Sequence, residues 1–276
     1  MKISFSSLGD PDRPLEELAH LLELNGYDAI ELRGRPGKHV HWQDGPDRRA
    51  EVRKILADHG LEPAAVTTYV LAANRESGGP DRPDHRSERE NIEELKRWVD
   101  LASELGAPNI RIFGGALPAD ETHEDAMPRV ARIMDAAAAV NPEVNLCLET
   151  HDVWNTGEIV SWVLDNTERE NCKAVWDVGG SWPEETPDQT LGRLRPDRVA
   201  YLHLGDYFDV PGHEGKYHCF MGAGEIPLRR IIRLLRGVGW EGYLDVEWEG
   251  VYNDYMPQVE VGIAQGARKL REYLKE

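Results

Sequence analysis

Eight short apolar segments recur along the chain, and each is followed by a longer stretch with the spacing of an amphipathic helix. Segments of this length, separated by helical stretches, are typical of buried strands in a parallel sheet. The repeated strand–helix units therefore predict an α/β protein with its helices packed outside the sheet. The predicted strands are residues 2–6, 27–32, 63–68, 109–114, 144–149, 173–177, 199–203 and 243–247.

Residues that commonly terminate helices mark the ends of the helical stretches. The first three, 15–26, 49–60 and 92–106, each finish on a glycine, which tolerates the left-handed backbone that follows a helix. Later helices are predicted at 125–140, 157–166, 226–238 and 258–275, with a short sixth helix near 187–195. Every predicted strand thus has a helix after it.

Eight such units in 276 residues favour a closed (β/α)8 TIM barrel, which typically needs about 250 residues. We expect one domain that spans residues 1–276. An open, doubly wound dinucleotide-binding sheet is the alternative, but it normally carries G-x-G-x-x-G after its first strand. Here that position holds SLGDPDRP, so the barrel is the better interpretation.

Composition excludes several function classes. The net charge of −18 opposes binding to a phosphate backbone, so nucleic acid is not expected as a partner. No run of eighteen apolar residues predicts a membrane span, and the N-terminal segment lacks the apolar centre of a signal peptide. Three scattered cysteines, Cys147, Cys172 and Cys219, do not form a disulfide framework. A cytoplasmic location is the expectation.

The last four predicted strands each end on a side chain that can bind a metal. These residues are Glu149, Asp177, His203 and Glu247. The carboxyl ends of barrel strands open onto one face, so the four side chains should converge there. Each residue alone is better explained as a cap of the following helix. Four equivalent positions on consecutive strands favour a site.

Three carboxylates and one imidazole form a hard, oxygen-rich ligand set. Such a set suits one divalent cation, with Mn²⁺ or Mg²⁺ preferred and Co²⁺ or Zn²⁺ also compatible. Four protein ligands leave coordination positions for the oxygens of a substrate, as in catalytic and unlike closed structural sites. The pattern therefore predicts an enzyme.

The sequence resembles the xylose isomerase-like TIM barrel superfamily, in particular its sugar phosphate isomerase/epimerase group with hydroxypyruvate isomerase, tagatose 3-epimerase and inositol-catabolism enzymes. The resemblance spans essentially the whole chain. It is carried by GYDAIELR (26–33), LETH (148–151), VWDVGG (175–180), LHLGDY (202–207), GAGEIP (222–227) and GWEGYLDVEWE (239–249).

The resemblance implies a metal bound by Glu149, Asp177, His203 and Glu247, with the two glutamates also transferring protons at the substrate carbons. It implies a small carbohydrate substrate, namely a sugar, a sugar phosphate or a keto-polyol, and is compatible with a homo-oligomer. We hypothesise that the metal acidifies a C–H next to a carbonyl, so that a carboxylate removes the proton and an enediolate forms. Isomerisation, epimerisation or elimination can follow.

Two positions depart from the pattern of these relatives. Many of them have a histidine three residues after the metal-binding aspartate, where this chain has Gly180. Epimerases among them have an arginine six residues after the metal-binding histidine, where this chain has Asp209. Both departures bear on the substrate and leave the metal ligands unchanged.

Further substrate contacts are expected from polar and aromatic residues at other strand ends and loops. These are His151, Arg111, Glu31, Trp182, His213 and Lys216. A buried ion pair is an equal alternative for Glu31 and Arg111, and solvated loop residues are the alternative for His213 and Lys216.

Three other functions remain open at this point. A metal-dependent lyase or dehydratase acting on an oxidised sugar or glycoside would use the same ligands. An endonuclease-IV-like repair enzyme shares the barrel, but that family needs further histidines where this chain has Thr67, Thr68 and Arg111. A non-catalytic sugar-binding barrel would use the four strand-end residues only as helix caps.

Overall fold

The computed structural model of the protein describes residues 1–73, 87–210 and 215–276. Eight parallel strands close into one barrel, in which the first strand pairs with both the second and the last. The predicted (β/α)8 barrel is confirmed. Its strands are β1 (Lys2–Ser6), β2 (Ala29–Arg33), β3 (Glu62–Leu71), β4 (Asn109–Phe113), β5 (Asn145–Glu149), β6 (Cys172–Asp177), β7 (Val199–Leu204) and β10 (Tyr243–Val246).

A small antiparallel hairpin follows β7 and lies outside the barrel sheet. It consists of β8 (Tyr207–Phe208) and β9 (Tyr217–His218), whose residues pair directly across the hairpin. Residues 211–214 between these two strands are not described, and His213, one of the expected substrate contacts, is among them.

The helices surround the barrel. They are α1 (Leu15–Leu24), α2 (Pro46–Asp58), α3 (Glu88–Leu105), α4 (His123–Ala138), α5 (Gly157–Asp165), α6 (Val178–Ser181), α7 (Pro187–Leu194), α8 (Leu228–Gly237) and α9 (Val259–Lys275). Among the described residues no helix has the length and apolar content needed to cross a membrane.

The core has two apolar layers. A large layer between strands and helices includes the fully buried Trp154, whose indole N–H donates to the carbonyl of Gly115 at 2.9 Å. A small layer fills the barrel itself and consists of Ala65, Cys147, Val175 and Tyr201. Because side chains alternate along a strand, the inward-facing positions two residues further on place polar groups near the carboxyl ends of the strands.

Candidate metal and active site

Four polar side chains converge at the carboxyl ends of consecutive barrel strands. Glu149 ends β5, Asp177 ends β6 beside His203 of β7, and Glu247 follows β10. Glu149 and His203 are buried, and Asp177 and Glu247 are partly exposed. One ligand atom from each of Glu149, His203 and Glu247 lies within 4.8 Å of those of the other two. The structure therefore brings these three together as a group that could hold one metal ion.

Asp177 does not belong to that close group, and its backbone environment shows why. It is the N-cap of α6, and its Oδ1 accepts a hydrogen bond from the N–H of Gly179 at 2.9 Å. The helix-capping alternative considered for the four residues is thus realised at this one. The cap uses only one oxygen, and Oδ2 remains as a potential ligand.

The imidazole of His203 is held from both sides by carboxylates. Its Nδ1 lies 2.5 Å from Oε1 of Glu149 and 3.8 Å from Oε1 of Glu247. Its Nε2 lies 2.7 Å from Oε2 of Glu31 on the opposite side. Nδ1 therefore points toward the proposed ligands, and Nε2 points toward the interior of the barrel.

Burial and mutual charge shift the acid–base properties of these groups. Burial raises the pKa of Glu149, but His203 and Arg111 outweigh it and hold the pKa at about 2. Burial, opposed by His203 and reinforced by Glu149, raises the pKa of Glu247 to about 8. Burial alone would lower the pKa of His203, but the surrounding glutamates raise it well above its usual range. The two glutamates compete for one imidazole, so a bound cation would lower the raised pKa of Glu247 and favour its carboxylate form.

The donor set fits a hard divalent cation. Oε2 of Glu149 is buried and makes no hydrogen bond within the described part of the chain, although Nε of Arg111 lies 3.2 Å away. A buried carboxylate oxygen of this kind needs a cation or a donor. Carboxylate oxygens with one imidazole nitrogen are ligands that Mn²⁺ and Mg²⁺ accept, and Zn²⁺ tolerates them.

A second group lies deeper in the barrel, on the other side of the imidazole. Glu31, His203 and Asp245 also offer ligand atoms within 4.8 Å of one another, and all three are buried. Burial and the charge of Glu31 raise the pKa of Asp245 well above its usual range. The raised pKa disfavours the carboxylate form of Asp245, which makes this inner group a poorer cation site than the first.

A cavity of about 400 Å³ opens above the first group. Asp177 and Glu247 line it, and so do two of the expected substrate contacts, His151 and Lys216. Burial would lower the pKa of His151, but Asp152 and Glu149 outweigh it and raise the pKa to about 9. The raised pKa favours the positively charged form of His151 beside the proposed metal ligands.

The structure places three expected substrate contacts outside the lining of this cavity. Glu31 is buried behind His203, and the alternative of a buried ion pair fits it better. Arg111 is also buried, with its guanidinium carbon 3.7 Å from the ring centre of Phe113. Trp182 is half-buried and packs against the apolar core. Glu31 and Arg111 face the barrel interior, where they contact His203 and Glu149, and Trp182 packs outside the cavity lining.

Two residues that line the cavity, Asp206 and Glu249, were not among the residues expected from the sequence to contact the substrate. Each lies a few residues beyond a predicted strand end, where alternation along the strand no longer applies. The motifs LHLGDY and GWEGYLDVEWE contain them. His218, in β9 of the loop after β7, also lines the cavity.

The structure shows the surroundings of Gly180 and Asp209, the two positions that depart from the pattern of the relatives. A Cβ atom at Gly180 would lie 1.9 Å from the carbonyl oxygen of Thr150, so this backbone has no room for a histidine. Asp209 is exposed and does not line the cavity. The space that a histidine at position 180 would take is filled by backbone.

Comparisons with known proteins agree on the fold. The profile of the xylose isomerase-like TIM barrel family matches residues 18–275. Fructoselysine 3-epimerase of Shigella flexneri is 22% identical over 286 residues, covering 100% of this chain and 99% of the relative.

Two solved structures have similar folds. The IolI protein with a binding zinc atom superimposes with a TM-score of 0.78 at 19% identity, covering 100% of this chain and 98% of the other. The probable 3-DHS dehydratase AsbF of Bacillus anthracis superimposes with a TM-score of 0.75 at 18% identity, covering 98% and 99%.

Proposed function

Because the chain belongs to the xylose isomerase-like TIM barrel family, we propose that it is a divalent-metal-dependent isomerase or epimerase of a sugar or keto-polyol. The observation that carries the proposal is the group formed by Glu149, His203 and Glu247 below an open cavity. The 3-epimerase activity of the curated relative and the zinc atom in the IolI structure support it.

We assign Glu149, Asp177, His203 and Glu247 as the residues that hold the metal, with Mn²⁺ or Mg²⁺ preferred by the ligand set. When bound, the metal withdraws electron density from a carbonyl and its neighbouring hydroxyl and so acidifies the adjacent C–H. Nδ1 of His203 is already directed toward the carboxylates by the contact of Nε2 with Glu31. The site is therefore preorganised before a cation arrives.

Glu247 and Glu149 are the proposed proton-transfer groups. Glu247 lines the cavity, so its carboxylate can remove a proton from the carbon beside the carbonyl. The resulting enediolate regains a proton on the other carbon in an isomerisation, or on the opposite face in an epimerisation. The imidazolium of His151 can donate a hydrogen bond to a substrate oxygen as negative charge develops.

A lyase or dehydratase is the second candidate, and Gly180 favours it. The missing side chain there removes a histidine contact that many relatives have, and the barrel is similar to that of a probable dehydratase. Both reactions begin with the same proton removal, and elimination differs only in the loss of a β-leaving group. The two candidates therefore share the metal and the base.

Proton exchange tests the proposal. Metal-loaded protein incubated with free ketoses in deuterated water should incorporate deuterium at the carbon next to the carbonyl, as followed by NMR. Glu149→Gln and Glu247→Gln should each abolish exchange while circular dichroism stays native, and the exposed Asp209→Asn serves as the control. Near-normal exchange in both glutamine variants would refute their assignment. Product release from a 3-keto glycoside without any ketose exchange would favour the lyase.

A further inference from the structure

Asp206, directly after β7, has a carboxylate that the backbone surrounds with donors. Its Oδ1 accepts from the N–H groups of Tyr207 at 3.0 Å and Ile226 at 3.2 Å. Its Oδ2 accepts from Gly222 at 2.7 Å and Gly224 at 3.0 Å. The side chain is 2% exposed. Four converging backbone N–H groups form a nest of the kind that binds anions.

The backbone of the GAGEIP turn (222–227) requires glycine at two positions around this nest. Gly222 adopts φ +83°, which side-chain-bearing residues rarely tolerate. A Cβ atom at Gly224 would lie 2.3 Å from Oδ1 of Asp206 and equally close to the carbonyl oxygen of Tyr207. The turn is thus shaped around the carboxylate of the protein's own aspartate.

This location is where barrel enzymes commonly bind phosphate. The usual phosphate site uses the loops after the seventh and eighth strands with the N-terminus of a short extra helix. Here the donors of the seventh loop are taken by Asp206, and the eighth loop brings Glu247 and Glu249 to the cavity. Both loops therefore place acids at this position, and Asp206 already uses four N–H donors there.

The bases that line the cavity already lie close to carboxylates or to a carbonyl group of the protein. Nδ1 of His151 lies 3.1 Å from Oδ1 of Asp152, and Nε2 of His218 lies 3.5 Å from Oε2 of Glu249. The exposed Lys216 donates to the carbonyl of Gly179 and lies over the ring of Tyr207. An incoming anion would have to compete with these contacts.

The residue types that line the cavity also disfavour an anion. The described lining contains five carboxylates and three bases. Two of the carboxylates, Asp177 and Glu247, are proposed metal ligands, and the other three, Asp152, Asp206 and Glu249, equal the bases in number. Among the described residues a phosphate dianion placed here would therefore meet no excess of bases, and like charges in a partly desolvated site repel strongly.

We infer that this site selects a substrate without an anionic group, so that its carbohydrate is unphosphorylated and is not a sugar acid. The inference rests on the proposed function, because it concerns the substrate of that reaction. In this interpretation the carboxylate of Asp206 occupies the four backbone N–H donors that could otherwise bind the phosphate of a substrate.

Matched substrate pairs test the inference. Mn²⁺-loaded protein is given free ketohexoses and the corresponding terminal monophosphates, and deuterium exchange and calorimetric binding are measured for each pair. The free sugar should have a kcat/KM at least about tenfold higher, and should bind more tightly. Equal or better turnover, or tighter binding, of the phosphorylated member would overturn the inference. Absence of exchange in every pair, with the binding order preserved, would instead refute the proposed isomerase or epimerase function alone.

A second experiment tests the nest without any catalytic readout. In metal-free protein, Asp206→Ala should free four N–H donors, so that inorganic phosphate raises the Tm of the variant more than that of the wild type. Asp209→Ala, an exposed aspartate in the same loop, is the matched control for general salt effects. If Asp206→Ala does not fold, Asp206→Asn is measured in the same way. An identical phosphate response in wild type, nest variant and control would show that no anion position exists there.

Discussion

Removal of the negative charge of Glu31 should weaken metal binding although Glu31 is not a proposed ligand. Its carboxylate accepts from Ser6 at 2.6 Å and Tyr201 at 2.9 Å, and lies 2.7 Å from Nε2 of His203. The contact fixes the tautomer and the direction of the imidazole, so that Nδ1 faces the metal position. Glu31→Gln keeps the shape of the side chain but replaces one acceptor oxygen with a donor.

The magnitude follows from the bond that is lost. A hydrogen bond to a charged group contributes roughly 1.5 to 3 kcal/mol, and loss of such an outer partner typically costs about tenfold to a hundredfold in metal affinity. We therefore expect the Kd for Mn²⁺ to rise by about tenfold to a hundredfold in Glu31→Gln. Titration of metal-free protein followed by the electron paramagnetic resonance signal of free Mn²⁺ measures this directly.

Glu185→Gln is the matched control. Glu185 is also a buried carboxylate, and it accepts from the N–H groups of Gly157 and Glu158 and from the hydroxyl of Thr190. Its replacement should lower Tm without changing the Kd for Mn²⁺. A Glu31→Gln protein with native circular dichroism and a Kd within about twofold of the wild type would refute the role assigned to Glu31.

Two further predictions concern stability. Gly180→Ala should lower the free energy of unfolding by about 1 to 3 kcal/mol in urea denaturation, because its Cβ would clash with the carbonyl of Thr150; an unchanged value would contradict the crowding. The hydrogen bond to Glu23 raises the pKa of His59 in the folded protein. The protonated imidazole therefore stabilises the fold fully below the unfolded pKa of about 6.5. This stabilisation is lost as the pH rises through the higher pKa of the folded state. The Tm of His59→Gln should therefore lie furthest below that of the wild type at about pH 6, and the two values should converge at about pH 9. A Tm difference that does not change with pH would contradict this linkage between protonation and stability.

The barrel could be predicted because its strands and helices have strong periodic patterns. The ends of elements were harder where local chemistry decides them. Helix α3 begins at Glu88, before its predicted start at 92, because Ser87 and Glu90 form a capping box. Strand β3 continues to Leu71, beyond residue 68, and the N–H groups of Ala72 and Ala73 then bond to the next strand region.

The position of the candidate site could be predicted from the sequence, but the contacts of its buried polar side chains could not. Strand-end positions and alternation placed Glu149, His203 and Glu247 at one end of the barrel, and the structure brings them together. Which way a buried polar side chain turns depends on partners from distant strands. Glu31 turns to His203, 172 residues away in sequence, and no local pattern could indicate that contact. The nest around Asp206 likewise depends on a turn that lies beyond the hairpin.

The most direct test of the account is the amount of metal that the protein binds. Protein stripped of metal, loaded with Mn²⁺ and dialysed should retain about one equivalent per chain in elemental analysis, and His203→Ala should retain almost none. Less than about a tenth of an equivalent in the wild type, not restored by added Mn²⁺, would contradict a metal site at Glu149, Asp177, His203 and Glu247.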